Sequence, residues 1–184
     1  FDLLSREFAH TRQKNLLLRD LDELVNQQLA KMLFANPQRI DYYDRYQEII
    51  DAYNAEQNRA TIEKTFMDLM ELASSLDTEQ QRYVREGFSS DEELSVYDLL
   101  FSENLTKQEI EAIKKVSVDL LTKIKQQIAK LDHWTDKQET KAIVDNLIRK
   151  TLWQELPNSY DVSDIQTYQK KIYEYVYMRY PEVA

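Results

Sequence analysis

The chain has 184 residues, a formal net charge of −9, one glycine, three prolines and no cysteine. The missing cysteines exclude a disulfide framework and a thiolate metal site, and the acidic charge disfavours a protein whose main task is to wrap nucleic acid. The lack of cysteine also fits a cytoplasmic protein. No apolar run approaches the roughly 20 residues that a membrane span requires, and the N-terminus lacks a signal-peptide pattern.

The composition predicts an all-α fold. Few residues can break a helix, and the abundant leucine, lysine, glutamate, glutamine and aspartate suit helices. No alternating strand pattern and no hairpin turn occurs. We therefore expect one domain over residues 1–184, an irregular bundle of about eight helices without a sheet. Because the sequence begins at Phe1 and is amphipathic at once, we interpret it as a piece of a larger protein.

Two helices are predicted at the start of the chain. The apolar pattern over residues 2–34 indicates one long helix. Asn36 and Pro37 then form a typical helix start, with an N-cap side chain followed by proline at the first helical position. The second helix continues to about Asn54 and has a tyrosine-rich face.

A third helix is predicted over about residues 56–75, where the apolar stripe is the most regular in the chain. Asp77 with Gln80 is a fair cap for a short fourth helix that ends at Gly87. This glycine suits a left-handed residue just beyond a helix C-terminus.

The stretch after Gly87 marks a joint between two helical halves, residues 1–87 and 88–184. Ser89 and Ser90 each precede a glutamate by three residues, which is the capping-box signature of a helix start. One helix therefore ends and the fifth begins with very little loop between them.

Capping pairs also predict the later helices. Thr106 with Glu109 opens a sixth helix, and Thr135 with Gln138 opens a seventh. The last helix is predicted over residues 163–180, before Pro181.

No catalytic or cofactor-binding set emerges from these elements. Glu7 and His10 have the Glu-x-x-His spacing that ligates iron or manganese in some bundles, but a bridged site needs a second copy that is missing, so a surface helix pair is the simpler interpretation. Glu139 and Lys141 resemble half of a nuclease signature, yet they lie in a predicted helix instead of on a strand. With a single glycine, a phosphate-binding loop is excluded.

A basic stretch offers a DNA-contacting surface. Residues 113–150 carry nine basic and five acidic residues, and Lys114 and Lys125 share one face of the sixth helix. Lys141 and Arg149 follow on the next helix. A solvated helix face would have the same composition, so both interpretations stay open.

The last helix has two apolar faces. One predicted face joins the core and consists of Ile165, Tyr168, Ile172 and Val176. The other consists of Tyr173, Tyr177 and Tyr180, and because one stripe suffices for a core, we expect the second to bind a partner.

The order and spacing of many short segments resemble the C-terminal helical region of the restriction (R) subunit of type I restriction enzymes. The resemblance covers nearly the whole chain, and none of its segments is a catalytic signature. They are Lys14-Asn15-Leu16, Tyr46-Gln47-Glu48-Ile49-Ile50, Glu71-Leu72-Ala73, Glu86-Gly87-Phe88, Glu93-Leu94, Tyr97-Asp98-Leu99-Leu100, Asp132 with Trp134, Lys141-Ala142 and the closing tyrosines.

This resemblance implies a prokaryotic subunit whose nuclease and ATP-driven translocase domains, with their ATP and Mg²⁺, lie upstream. The chain itself would hold no cofactor, and would dock the subunit onto the methyltransferase (M) core. The family often has a basic run after the Asp-Trp pair, whereas here His133 separates that pair and Thr135 and Asp136 dilute the run. These departures argue against strong DNA contact by this segment.

Overall fold

The computed structural model describes residues 2–56 and 58–181. Over these residues it is 80% helical, with nine α-helices and no strand, so the predicted all-α class is confirmed. The helices are α1 Asp2–His10, α2 Lys14–Ala35, α3 Ile40–Ala55, α4 Arg59–Gln80, α5 Arg82–Arg85, α6 Asp91–Leu100, α7 Lys107–Ile128, α8 Gln138–Glu155 and α9 Val162–Arg179, with a 3-10 turn at Pro37–Arg39. The chain divides into two compact units, Phe1–Arg82 (unit 1) and Tyr83–Ala184 (unit 2).

The single helix predicted over residues 2–34 is wrong, because the chain breaks into α1 and α2 after His10. The Thr11 hydroxyl oxygen accepts the N–H of Gln13 at 3.1 Å, a side-chain bond that competes with the helical ladder. Before the break, α1 carries Phe8, whose ring stacks on Phe66 of α4 with centroids 3.7 Å apart.

The predicted cap at Asn36 is confirmed. Its side-chain oxygen accepts the N–H of Gln38 at 3.1 Å, and Pro37 occupies the first position of the 3-10 turn that leads into α3. Arg39, the last residue of that turn, is buried.

The predicted break before Asp77 does not occur, since this residue lies inside α4. Leu76 is fully buried and continues the stripe of Phe66, Leu69 and Ala73. The helix therefore continues beyond Asp77, because burial of this stripe outweighs the local capping preference. At its other end, α4 begins after Asn58, whose side chain accepts the N–H of Thr61 at 2.9 Å.

Unit 1 is closed by α2, α3 and α4, which pack on one another. A charged cluster lies among their ends: Nε of Arg39 donates to Oε1 of Glu79 at 3.0 Å, and Nε of Arg82 donates to the same oxygen at 2.8 Å. The side chains of Arg39 and Glu79 are only 3% and 10% exposed, so this pair is shielded from water. The Tyr42 hydroxyl lies 3.5 Å from Oε2 of Glu79, and burial together with this carboxylate raises the pKa of Tyr42.

Gly87 ends α5 as predicted, with φ of +84°. The N–H of Phe88 donates to the carbonyl of Tyr83 at 2.8 Å, and the N–H of Gly87 donates to the carbonyl of Val84 at 3.1 Å. These two bonds are the Schellman pattern that closes a helix C-terminus. The two packed units divide between Arg82 and Tyr83, five residues before Phe88.

Gly87→Val should destabilise unit 2 by roughly 2 kcal/mol, because a β-branched residue is strained at positive φ. A Cβ at this position meets no atom within 4 Å, so a clash of the Cβ adds nothing to this loss. Gly87→Asn, which tolerates left-handed geometry better, is the control and should lose less. Urea denaturation followed by tryptophan fluorescence compares the stability of the parent chain and the two variants. Equal unfolding midpoints for all three would contradict the prediction.

Local caps set two helix starts in unit 2. The Ser90 hydroxyl accepts the N–H of Glu93 at 3.3 Å, and Thr106 with Glu109 forms the predicted capping box. The cap predicted at Thr135 is wrong, since α8 begins at Gln138 after an N-cap without a side-chain bond.

Residues 129–136 form turns in place of the predicted helix start. His133 has a positive φ of 44° there. The Thr140 hydroxyl donates to the carbonyl of Trp134 at 2.8 Å and holds these turns against the first turn of α8.

The four long helices of unit 2 surround one core. Helix α7 packs on α6 and α8, and α9 packs on α8 and α6. Trp134, from the turns between α7 and α8, is buried in the same core. None of the helices in the described ranges is long and apolar enough to cross a membrane.

Candidate functional site

The closing tyrosines of α9 lie around Trp134, which is 1% exposed. The indole N–H of Trp134 donates to the main-chain carbonyl of Tyr180 at 2.6 Å. The rings of Tyr173 and Tyr177 meet the indole edge-on, with centroids 6.2 Å and 5.7 Å away. The rings of Trp134, Tyr173 and Tyr177 therefore form one aromatic cluster between the turns before α8 and the last two turns of α9, and the carbonyl of Tyr180 accepts the bond that holds the indole there.

The spacing of these tyrosines on the helix predicted a second face free of the core. The structure instead packs two of them against the core. Tyr173 and Tyr180 are half-buried against the core of unit 2, and Tyr177 keeps 39% of its surface exposed. Burial, with Asp145 and Tyr177 nearby, raises the pKa of Tyr173. Burial also raises the pKa of Tyr180, beside Tyr175 and Glu92. Their role in binding a partner stays a prediction, and Tyr177 is the most accessible of the three.

Sequence reasoning missed Tyr175, which is buried in the core of unit 2. It lies three residues after Ile172, so helical spacing alone could have placed it on the core face. Tyr168, predicted for that face, is half-buried and meets the ring of Tyr160 edge-on at 5.5 Å. The Tyr160 hydroxyl donates to the carbonyl of Leu100 at 2.7 Å and ties the loop before α9 to the end of α6.

Lys114 and Lys125, the first two predicted DNA contacts, are engaged with carboxylates. Nζ of Lys114 lies 3.2 Å from Oε2 of Glu86 and donates to the Glu86 carbonyl at 3.0 Å. Lys125 forms an ion pair with Glu92 and lies 5.2 Å from the ring centroid of Tyr180. Burial opposes the charge on Glu92, but Lys125, the Tyr180 hydroxyl and Arg179 together outweigh it and lower the pKa of this carboxyl. Both lysines thus neutralise the chain's own acidic groups.

Lys141 and Arg149, the other two predicted DNA contacts, lie on α8. Nζ of Lys141 lies 5.7 Å from the ring centroid of Tyr177, and Nη2 of Arg149 donates to Oδ1 of Asn146 at 2.8 Å. The four predicted contacts therefore belong to two different settings: the lysines on α7 pair with carboxylates, whereas the cations on α8 contact an aromatic ring and an amide oxygen and pair with no carboxylate among the described residues.

The alternative metal pair, Glu7 and His10, is exposed at the C-terminal end of α1. Within residues 2–56 and 58–181 no three histidine, aspartate or glutamate side chains lie together as a metal site would need. No geometry in the described part of the chain therefore supports a metal centre at this pair.

Comparison with known proteins gives one positive finding. Residues 2–180 match a family model described as "Type I restriction enzyme HindI endonuclease subunit-like, C-terminal". No curated protein and no solved structure matches the chain.

Proposed function

Since this chain belongs to the family of C-terminal domains of type I restriction enzyme HindI endonuclease subunit-like proteins, we propose that it docks its subunit onto a methyltransferase core. The partner is the methyltransferase (M) subunit of the same restriction–modification complex. The chain would act in the cytoplasm of a prokaryotic cell, and its role would be assembly.

The observation that carries this proposal is the exposure of aromatic side chains on a bundle whose core is already closed. Trp153 on α8 is 51% exposed and Tyr177 on α9 is 39% exposed, whereas the core of unit 2 is filled by other side chains. Tryptophan and tyrosine are the residues that most often anchor protein–protein interfaces. The exposure of these two aromatic side chains therefore indicates a surface that binds another protein.

A catalytic role for the chain itself has less support. Nuclease chemistry on DNA needs carboxylates gathered around a divalent cation, and ATP hydrolysis needs a glycine-rich phosphate loop. The chain has one glycine, and its described ranges gather no metal-ligating triplet. We therefore assign the ATP- and Mg²⁺-dependent steps to other domains of the endonuclease subunit.

Direct DNA contact is the second candidate, and its strongest residues are already engaged. Lys114 and Lys125 pair with Glu86 and Glu92, so a phosphate would have to displace these carboxylates. The net charge of −9 opposes approach to DNA. We expect duplex binding only at low salt, because phosphate contacts weaken steeply as salt rises.

Binding of the 184-residue chain to the cognate methyltransferase core, measured by titration calorimetry at physiological salt, tests the proposal. We expect a saturable complex with the core and no measurable complex with a duplex of similar size. An unrelated acidic helical protein in place of the chain controls for charge. Tight duplex binding without binding to the methyltransferase core would contradict the docking role and favour DNA contact.

A further inference from the structure

The surface of α8 that faces away from the core of unit 2 carries an unusual set of side chains. Val144, Ile148 and Leu152 recur every four residues and are fully buried. The opposite side, called here the outer face of α8, consists of Ile143, Asn146, Arg149, Lys150 and Trp153. These residues follow one another at three- and four-residue spacing and are all exposed, so they form one continuous strip along the helix.

The fold separates the charges of α8. Between residues 144 and 155 the sequence holds two acids and two bases, Asp145, Arg149, Lys150 and Glu155. Oδ1 of Asp145 accepts from Nε2 of Gln169 on α9 at 2.9 Å, and Oε1 of Glu155 accepts from Nζ of Lys123 on α7 at 2.6 Å. Both carboxylates thus engage neighbouring helices, and the outer face keeps only the cations.

Arg149 and Lys150 differ in their pairing from three of the five lysines of α7. Lys114, Lys123 and Lys125 each pair with a carboxylate, whereas neither Arg149 nor Lys150 has a carboxylate within 4 Å among the described residues. The acid on the same side of α8, Glu139, precedes Arg149 by ten residues, about 15 Å along the helix. At that distance salt screens most of its effect.

We propose that the outer face of α8 is the docking surface for the methyltransferase core, through a patch that offers apolar pockets to Ile143 and Trp153 and acidic groups between those pockets. The proposal rests on the proposed function and adds which surface makes the contact. Trp153 and Ile143 supply the apolar anchors, and Arg149 with Lys150 supply two charges that no carboxylate in residues 2–56 and 58–181 pairs with. Tryptophan and arginine side by side are the residue types that dominate binding energy at protein interfaces.

The apolar content of this face distinguishes a protein partner from duplex DNA. Phosphate contacts would use Arg149 and Lys150 but would leave Trp153 and Ile143 in water. An acidic, pocketed protein surface satisfies all four side chains at once, because it buries the indole and pairs the cations. Charge complementarity and apolar burial together therefore favour the methyltransferase core.

Two variants of the 184-residue chain test the proposal against the purified methyltransferase core. Trp153→Ala removes the exposed anchor, and the double variant Arg149→Glu, Lys150→Glu reverses the local charge. Each should weaken binding by more than about tenfold, which is the usual effect of removing an interface anchor. Melting temperatures should stay close to that of the parent chain, because the substituted side chains are exposed.

Matched controls come from the other helices of unit 2. Met178→Ala removes a comparably exposed apolar side chain from α9. Lys107→Glu with Lys115→Glu makes the same change in net charge on exposed positions of α7. Both controls should bind the methyltransferase core like the parent chain.

The outcomes separate this inference from the docking role itself. A parent chain that binds the core while both α8 variants bind equally well would overturn the assignment of the face and leave the docking role intact. Loss of binding with Tyr177→Ala but not with Trp153→Ala would likewise overturn it and place the contact on α9. A parent chain that does not bind the core would overturn both proposals. Variants that lose binding to duplex DNA only would also overturn this inference, because the face would then be a nucleic-acid contact.

Discussion

Glu79→Gln is expected to destabilise unit 1 by about 3–5 kcal/mol, the usual loss when one member of a buried ion pair is removed. The Glu79 carboxylate accepts from Nε of Arg39 at 3.0 Å and from Nε of Arg82 at 2.8 Å. Arg39 is 3% exposed, so its guanidinium would lose the charge of Glu79 without gaining water in exchange. Glutamine has nearly the same shape, which confines the change to charge and hydrogen bonding.

Far-UV circular dichroism during urea denaturation measures this loss. Both tryptophans lie in unit 2, so tryptophan fluorescence reports residues 83–184 alone. A shift in the dichroism transition without an equal shift in fluorescence would assign the loss to unit 1. Glu71→Gln is the matched control, because Glu71 pairs with Arg45 at 2.9 Å while 72% exposed, and an exposed pair contributes less than about 1 kcal/mol. Equal midpoints for the two variants would contradict the buried role of Glu79.

The helix starts that the sequence predicts correctly are those with a local cause. Ser90 and Thr106 cap α6 and α7 through bonds to residues three positions later, and such bonds require no distant partner. The same reasoning failed at Asp77. The capping pair there predicted a new helix start, but α4 continues past it because Leu76 is buried in the core. It failed again at Thr135, where the chain makes turns around Trp134 before α8 begins. In both cases packing that only the folded chain provides outweighs a weak local preference.

The candidate surfaces were harder to predict for a related reason. Helical periodicity shows that Tyr173 and Tyr177 share a side of α9, but not that Trp134, some forty residues earlier, lies against that side. In the same way, the sequence between Asp145 and Glu155 is balanced in charge. Only the partners of those two carboxylates on neighbouring helices reveal a cationic outer face on α8. Which surface is covered and which is free depends on contacts between helices.

Trp134→Ala should destabilise unit 2 by about 3–5 kcal/mol, the range measured when a large buried aromatic residue is truncated. The indole is 1% exposed and is flanked by the rings of Tyr173 and Tyr177, so its removal leaves a cavity that these rings cannot fill without moving. The carbonyl of Tyr180 also loses its 2.6 Å donor. Trp134→Phe keeps much of the volume but not the N–H, and should lose less than the alanine variant.

Trp153→Ala is the internal control for this experiment, because it removes the same side chain from the same unit at a position that is 51% exposed. Its cost should stay within about 0.5 kcal/mol, as for surface substitutions in general. Circular dichroism in urea compares the three variants. After Trp134→Ala the fluorescence of Trp153 alone gives a second probe of unit 2. If Trp134→Ala and Trp153→Ala unfold at the same urea concentration, the contacts between Trp134 and the tyrosines do not stabilise the end of α9.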